Sequence, residues 1–114
     1  KVRALADIAG TLAATDPDRA ERIAESITSY SDKARALADI AGTLAATDPD
    51  RAERIALSIT SDSDKVRALA DIAGTLAATH PDHAARLLAD AERIALSITS
   101  DFDKVRALVK IAEA

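Results

Sequence analysis

The sequence opens with KVRALADIAGTLAATDPDRAERIAESITSYSD at residues 1–32, and this stretch decides the fold because the chain repeats it. Residues 33–64 copy it with three changes, residues 65–103 are a third copy that is seven residues longer, and residues 104–114 form a half unit. The three changes are Val2 to Ala34, Glu25 to Leu57 and Tyr30 to Asp62. Near-identity over about three and a half units indicates recent duplication or a designed consensus array.

Each unit contains two helical patterns. In the first, Val2, Leu5 and Ile8 recur at three-residue steps and share one helix face. The second follows Asp16–Pro17, where the Asp side chain can cap the helix and Pro fits its first position. The predicted helices span roughly 1–14, 17–28, 33–46, 49–60, 65–78, 81–99 and 104–113.

Two details of the helix ends stay open at this point. Either Ser31 or Asp32 can cap the helix that begins the second unit, and the sequence does not choose between them. The third unit carries His80 where the others have Asp, which predicts a poorer cap. Because the loops are short, neighbouring helices should pack antiparallel, and stacking of the hairpins should bury their apolar faces. The expected fold is therefore one all-α domain over residues 1–114, a short solenoid of seven helices.

The packing positions resemble those of the tetratricopeptide-repeat family of helical hairpins. The resemblance lies in Ile8–Ala9–x–x–Leu12 of the first helix and in Ala20, Ala24 and Ile27 of the second, although the unit has 32 residues. It implies a right-handed solenoid that binds a protein or peptide on its first-helix surface. HEAT-like geometry is the alternative among helical solenoids.

Composition excludes several functional classes. The formal net charge of −4 argues against a nucleic-acid partner, since such binding needs accumulated Lys and Arg. No apolar run is long enough to span a membrane, so we expect no membrane partner. The localisation stays unknown at this point, with a soluble, cytoplasmic protein as the favoured expectation. The sequence contains no cysteine and no catalytic or phosphate-binding motif, so we expect neither an enzyme nor a cofactor. His80 and His83 alone give an incomplete ligand set for a metal.

A polar stripe recurs on the first helix of each unit. In a tetratricopeptide-like stack it would line a concave groove, where a ladder of Arg side chains could hold carboxylates or backbone carbonyls of an extended peptide. The alternative is a solvated face with ion pairs between residues four apart, such as Arg35 with Asp39. The candidate groove residues are Arg3, Asp7, Arg35, Asp39, Thr43, Arg67, Asp71 and Thr75.

Two further features carry expectations about packing. Gly10, Gly42 and Gly74 lie inside helices, where close helix packing is the commoner reason for Gly and close approach of a ligand the other. The N-terminal unit carries the interior pattern, so Val2, Leu5 and Ile8 have no preceding unit to cover them all. The first helix should therefore fray or dock on another molecule.

The seven extra residues of the third unit lengthen its second helix. If the neighbouring helices keep their length, Leu87 or Leu88 should overhang the stack uncovered, and Leu57 and Leu96 add apolar surface where the first unit has Glu25. This predicts a homo-oligomer built through Leu87, Leu88, Leu57 and Leu96. The alternative is that the extra turns fold against their own chain.

Two functions from different classes follow. The first is a non-catalytic scaffold that binds a protein or peptide. The second is a structural module, natural or engineered, whose main property is self-association. The unit-to-unit changes fall outside the groove stripe, which leans toward the second function.

Overall fold

A computed structural model of the chain describes residues 2–113, although the side chains of Val2 and Arg3 lie outside that description. The described residues form seven α-helices and no strand, which confirms the all-α class. The helices are α1 (Val2–Leu12), α2 (Pro17–Glu25), α3 (Tyr30–Leu44), α4 (Pro49–Leu57), α5 (Asp62–Leu76), α6 (Pro81–Leu96) and α7 (Asp101–Glu113).

The starts of the second helices are as the sequence predicts. The side chain of Asp16 accepts a hydrogen bond from the Arg19 N–H at 3.2 Å, and Asp48 accepts one from Arg51 at the same distance. His80 makes no such cap. Its Nδ1 instead lies 2.9 Å from the Thr79 hydroxyl, so α6 begins without this stabilisation.

The first helices begin about three residues earlier than predicted. Neither Ser31 nor Asp32 is the capping residue, because α3 is preceded by Ser29 and α5 by Ser61 in extended backbone. The Ser61 side chain accepts a hydrogen bond from the Asp64 N–H at 3.4 Å. A Ser placed three residues before an Asp is a stronger start signal than the apolar periodicity that set the predicted boundary.

The second helices end earlier than predicted. The Ser26 hydroxyl donates to the Ile23 carbonyl at 2.6 Å, and the Ile27 N–H donates to the Ala24 carbonyl at 3.1 Å. These hydrogen bonds between residues three apart satisfy the last carbonyls of the helix, which ends at Glu25. Ile27 is nevertheless buried, so the residues after the helix still belong to the core.

The helices pack in a regular pattern. The first helix of each unit contacts the first helix of the next, in the order α1, α3, α5, α7. Each second helix packs against the first helix of its own unit and that of the following unit. Among the described residues, the backbones of the second helices stay more than 8 Å apart, and these helices meet through long side chains such as Arg51. The Cα atoms span 34 × 33 × 17 Å, a flat body. Its core is rich in Ala, which lets the helices approach closely, and its largest fully buried side chains are Ile40, Ile55, Ile59, Val66, Leu69, Ile72, Leu76 and Leu87.

The extended second helix does not overhang. Leu87 is only 1% exposed and Leu88 is partly buried against the core, so the expectation that either lies uncovered is wrong. The reason is length. In the second unit α3 has 15 residues and α4 only 9, whereas α6 with 16 residues matches the 15 of α5. The seven extra residues therefore pack along a helix that is already long enough to receive them.

The expectation that the glycines mark close helix packing is also wrong. A Cβ atom built at Gly42 or Gly74 meets nothing within 4 Å, and one built at Gly10 meets only the Asp39 Cβ at 3.9 Å, an ordinary contact. Packing therefore does not require Gly at any of the three positions.

We expect Gly42→Ala and Gly74→Ala each to raise the free energy of unfolding by about 0.5–1 kcal/mol, because Ala restricts the unfolded chain more and the helix has room for its methyl group. Urea unfolding followed by circular dichroism measures the effect. Gly10→Ala is the matched control and should behave alike. Destabilisation by either of the first two changes would mean that another group occupies the space beside the backbone.

Candidate functional site

The polar stripe predicted from the sequence lies on the surface of the first helices. All its described members are exposed, while the Arg3 side chain lies outside the described residues. The Thr75 hydroxyl donates to the Asp71 carbonyl of its own helix at 3.2 Å. Its hydrogen is thereby engaged, and its oxygen is left as an acceptor on the surface.

The arginines of the stripe pair with different acids from those predicted. Arg67 donates to Asp64 at 3.0 Å, and Arg35 lies 3.8 Å from Asp32. Each acid precedes its Arg by three residues, which is the orientation that helices favour. Arg35 therefore pairs with Asp32, and the predicted pairing with Asp39 is wrong. Asp39 takes part in none of the ion pairs formed among the described residues.

The aspartates of successive first helices influence one another across the surface. The pKa of Asp39 is raised chiefly by partial desolvation, with Asp7 and Asp71 on the neighbouring helices adding to the shift and nearby arginines opposing it. The charge at this repeated position changes from negative to positive in the last unit. Lys110 stands there in place of Asp and lies 2.9 Å from Asp71. The surface between α5 and α7 is thus the part of the row that carries an added cation.

A groove lies at this end of the surface, with a volume of about 390 Å³. We call it the α5–α7 groove. Its larger apolar residues are Val105 and Val109, which are 59% and 52% exposed. Its cationic residues are Arg67, Arg106 and Lys110, and its acidic residues are Asp64, Asp103 and Glu113. A second depression of about 290 Å³ adjoins it and is lined by Ala70, Asp71, Gly74, Thr75, Lys110 and Glu113.

The cations of the α5–α7 groove are held in place by different contacts. The Arg106 guanidinium lies over the Phe102 ring, 5.5 Å from its centre, in a cation–π arrangement. Arg67 is oriented by Asp64, and Lys110 by Asp71. An Arg has five N–H donors and one acid uses at most two of them, so Arg67 and Arg106 keep donors for a ligand carboxylate. Beside the two valines, the groove can take an apolar side chain flanked by acidic groups.

Sequence reasoning placed Arg67, Asp71 and Thr75 on this surface but missed Val105, Arg106 and Val109. The signal was present, because Val109 replaces the Ala found at this position in each of the three preceding units. A larger side chain at a position that is otherwise Ala indicates that the packing of α7 differs from that of the other first helices there. Which face of α7 stays exposed depends on how the helix packs against α5 and α6, and the sequence does not give that.

The two histidines lie in separate environments. His83 Nε2 is 3.0 Å from Glu53 of α4, while His80 faces Thr79. Over the part of the chain that the structure describes, no three His, Cys, Asp or Glu side chains come close enough to hold a metal ion. None of the described helices is both long and apolar enough to cross a membrane.

The α5–α7 groove and the row of charged residues leading to it are thus the site that the fold assembles from the first helices. Comparison of the chain with models of protein families, with curated proteins and with solved structures finds no match in any of the three.

Proposed function

We propose that the chain is a non-catalytic scaffold, a tetratricopeptide-like right-handed solenoid of antiparallel helical hairpins, that binds a protein or peptide segment on its first-helix surface. The contact pattern supports this arrangement. The backbones of neighbouring first helices come within 8 Å of each other, whereas those of the described second helices are joined by long side chains alone, so the layer of second helices is the more widely spaced. Such a difference curves a stack with its first helices on the concave side.

The observation that carries the proposal is the α5–α7 groove. Two half-exposed valines lie beside two arginines that retain donors, which suits an extended segment with an apolar side chain between carboxylates. The groove joins the second depression past Lys110, so a ligand can continue along the row of first helices toward Gly74 and Thr75.

Peptide binding tests this function. We expect an acidic peptide with a central Leu to bind the parent chain, and Arg67→Ala to weaken binding about tenfold, because the change removes charge-assisted hydrogen bonds to a carboxylate. Isothermal titration calorimetry measures the affinity. Arg35→Ala is the matched control, since Arg35 occupies the same position of the preceding unit but does not line the groove. It should change the affinity less than about twofold.

Two results would contradict the proposal. Equal loss from both substitutions would show that the peptide responds to the general charge of the surface. An unchanged affinity for a peptide whose acids are replaced by Gln would remove the carboxylate from recognition, and with it the role of Arg67.

Self-association is the second candidate function, and one observation favours it. Leu57 and Leu96 are 45% and 59% exposed at the position where the first unit has Glu25. Together with exposed Tyr30 and Phe102 they place apolar side chains near the ends of the second helices and the starts of the next first helices. Leu87 has no part in this surface, because it is buried. Sedimentation of the parent chain over a range of concentrations separates a self-associating module from a monomeric scaffold.

A further inference from the structure

A second surface lies at the opposite end of the molecule, and every side chain in it has a counterpart inside the fold. We call it the N-terminal face and define it by Leu5 and Ile8 of α1 and Arg19 of α2. Leu5 is 38% exposed and Ile8 48%. The same residues of the next unit, Leu37 and Ile40, are 2% and 0% exposed. The sequence around them is the same, so the difference comes from what covers them.

Two helices of the preceding unit lie against the helix that carries these counterparts. That helix, α3, contacts both α1 and α2, and α5 contacts both α3 and α4 in the same way. The second helices bring an Ala-rich face with one Ile, represented in α2 and its end by the buried Ala20, Ala24 and Ile27. A helix of this type is therefore one of the two that pack beside the corresponding helix inside the fold, and it is the one that carries the acids described next.

The charged part of the N-terminal face has an equally specific counterpart. Arg51, which corresponds to Arg19, reaches back to the preceding second helix and donates to Asp18 at 2.6 Å and Glu21 at 3.0 Å. The hydrogen bond from Arg51, together with its charge, lowers the pKa of Asp18. At the next junction His83 takes the same position and lies 3.0 Å from Glu53, the counterpart of Glu21. The first of these junctions thus joins a basic side chain to two acids near the start of the preceding second helix, and the second junction joins one to a single acid.

We propose that the N-terminal face binds an amphipathic α-helix from outside residues 1–114. The helix carries an Asp and a Glu three residues apart in its first turns, which meet Arg19, and an Ala-rich face with Ile, which covers Leu5 and Ile8. A second folded copy of this chain does not supply such a helix. Its second helices α2, α4 and α6 already lie between two first helices each, with their apolar faces buried.

A peptide with the sequence of residues 47–61, TDPDRAERIALSITS, is the probe, because it reproduces the second helix that covers α5. Fluorescence anisotropy of the labelled peptide should show saturable binding to the parent chain, and NMR should show shifts centred on Leu5 and Ile8. We expect Arg19→Glu and Leu5→Glu each to weaken binding at least about tenfold. Arg54→Glu, the same charge change at an exposed position of α4, is the matched control and should leave the affinity within about twofold.

A charge exchange makes the test specific. A probe in which the residues corresponding to Asp50 and Glu53 are both Lys should bind the parent at least about tenfold more weakly and should recover affinity for the Arg19→Glu chain. Recovery also shows that the Arg19→Glu chain is folded. Absence of saturable binding, shifts that map elsewhere than α1 and α2, or failure of the exchange to restore affinity would each overturn the proposal. So would a parent dimer that the probe cannot dissociate and whose interface contains Leu5, since a second copy would then be the occupant.

Discussion

Ile72→Ala should lower the free energy of unfolding by about 3–4 kcal/mol, whereas Ile8→Ala should lower it by less than about 1 kcal/mol. The two isoleucines occupy the same position of their units and have the same sequence neighbours. Ile72 is fully buried between helices, so its truncation leaves a cavity as well as losing apolar contacts. Ile8 is about half exposed on the N-terminal face, where water can fill the space.

Urea unfolding followed by far-ultraviolet circular dichroism measures both changes. A domain of this size has only about 5–15 kcal/mol of stability, so the loss in the Ile72 variant shifts the transition midpoint clearly. Ile40→Ala provides a second buried copy and should match Ile72→Ala. Equal losses in the Ile8 and Ile72 variants would mean that α1 is covered by another molecule in solution.

Leu87→Ala should lower the free energy of unfolding by about 3 kcal/mol, whereas Leu96→Ala should lower it by less than about 1 kcal/mol. Both leucines lie on α6, but Leu87 is buried along α5 and Leu96 is exposed at the end of the helix. The contrast tests whether the seven-residue extension belongs to the core or forms a ridge on the surface.

Thermal unfolding at several protein concentrations supplies the control for this second experiment. If the extension packs within its own chain, the cost of Leu87→Ala should not depend on concentration. A midpoint that rises with concentration in the parent, and not in the Leu87→Ala variant, would restore Leu87 as an oligomer contact and contradict the packing described above.

Local chemistry explains which parts of the fold could be predicted. The starts of α2 and α4 follow from Asp16 and Asp48, whose side chains reach the backbone three residues away, and that interaction needs no tertiary context. The ends of the same helices were predicted three residues too late. The Ser26 hydroxyl competes for backbone carbonyls there, and the apolar periodicity that continues through Ile27 hides the helix end.

The candidate site was predicted in part for a related reason. Arg67 and Asp71 had to lie on the surface of a first helix, because the opposite face is apolar. Their partners did not follow from spacing, since Asp64 precedes Arg67 on the favoured side, and Lys110 reaches Asp71 from a helix some forty residues away in the chain. The α5–α7 groove depends on which face of α7 stays uncovered, which is a property of the assembled helices.

The sequence by itself determined that this protein is helical, where its units begin and which face of each helix is apolar, since these follow from spacing and from side chains that cap their own backbone. Tertiary structure alone decided what each copy of a repeated residue does. Leu5 and Leu37 are identical in type and in local sequence, yet one is exposed and the other buried. Burial depends on the neighbouring helix, and for the same reason Leu87 lies in the core and Val109 at the edge of a groove.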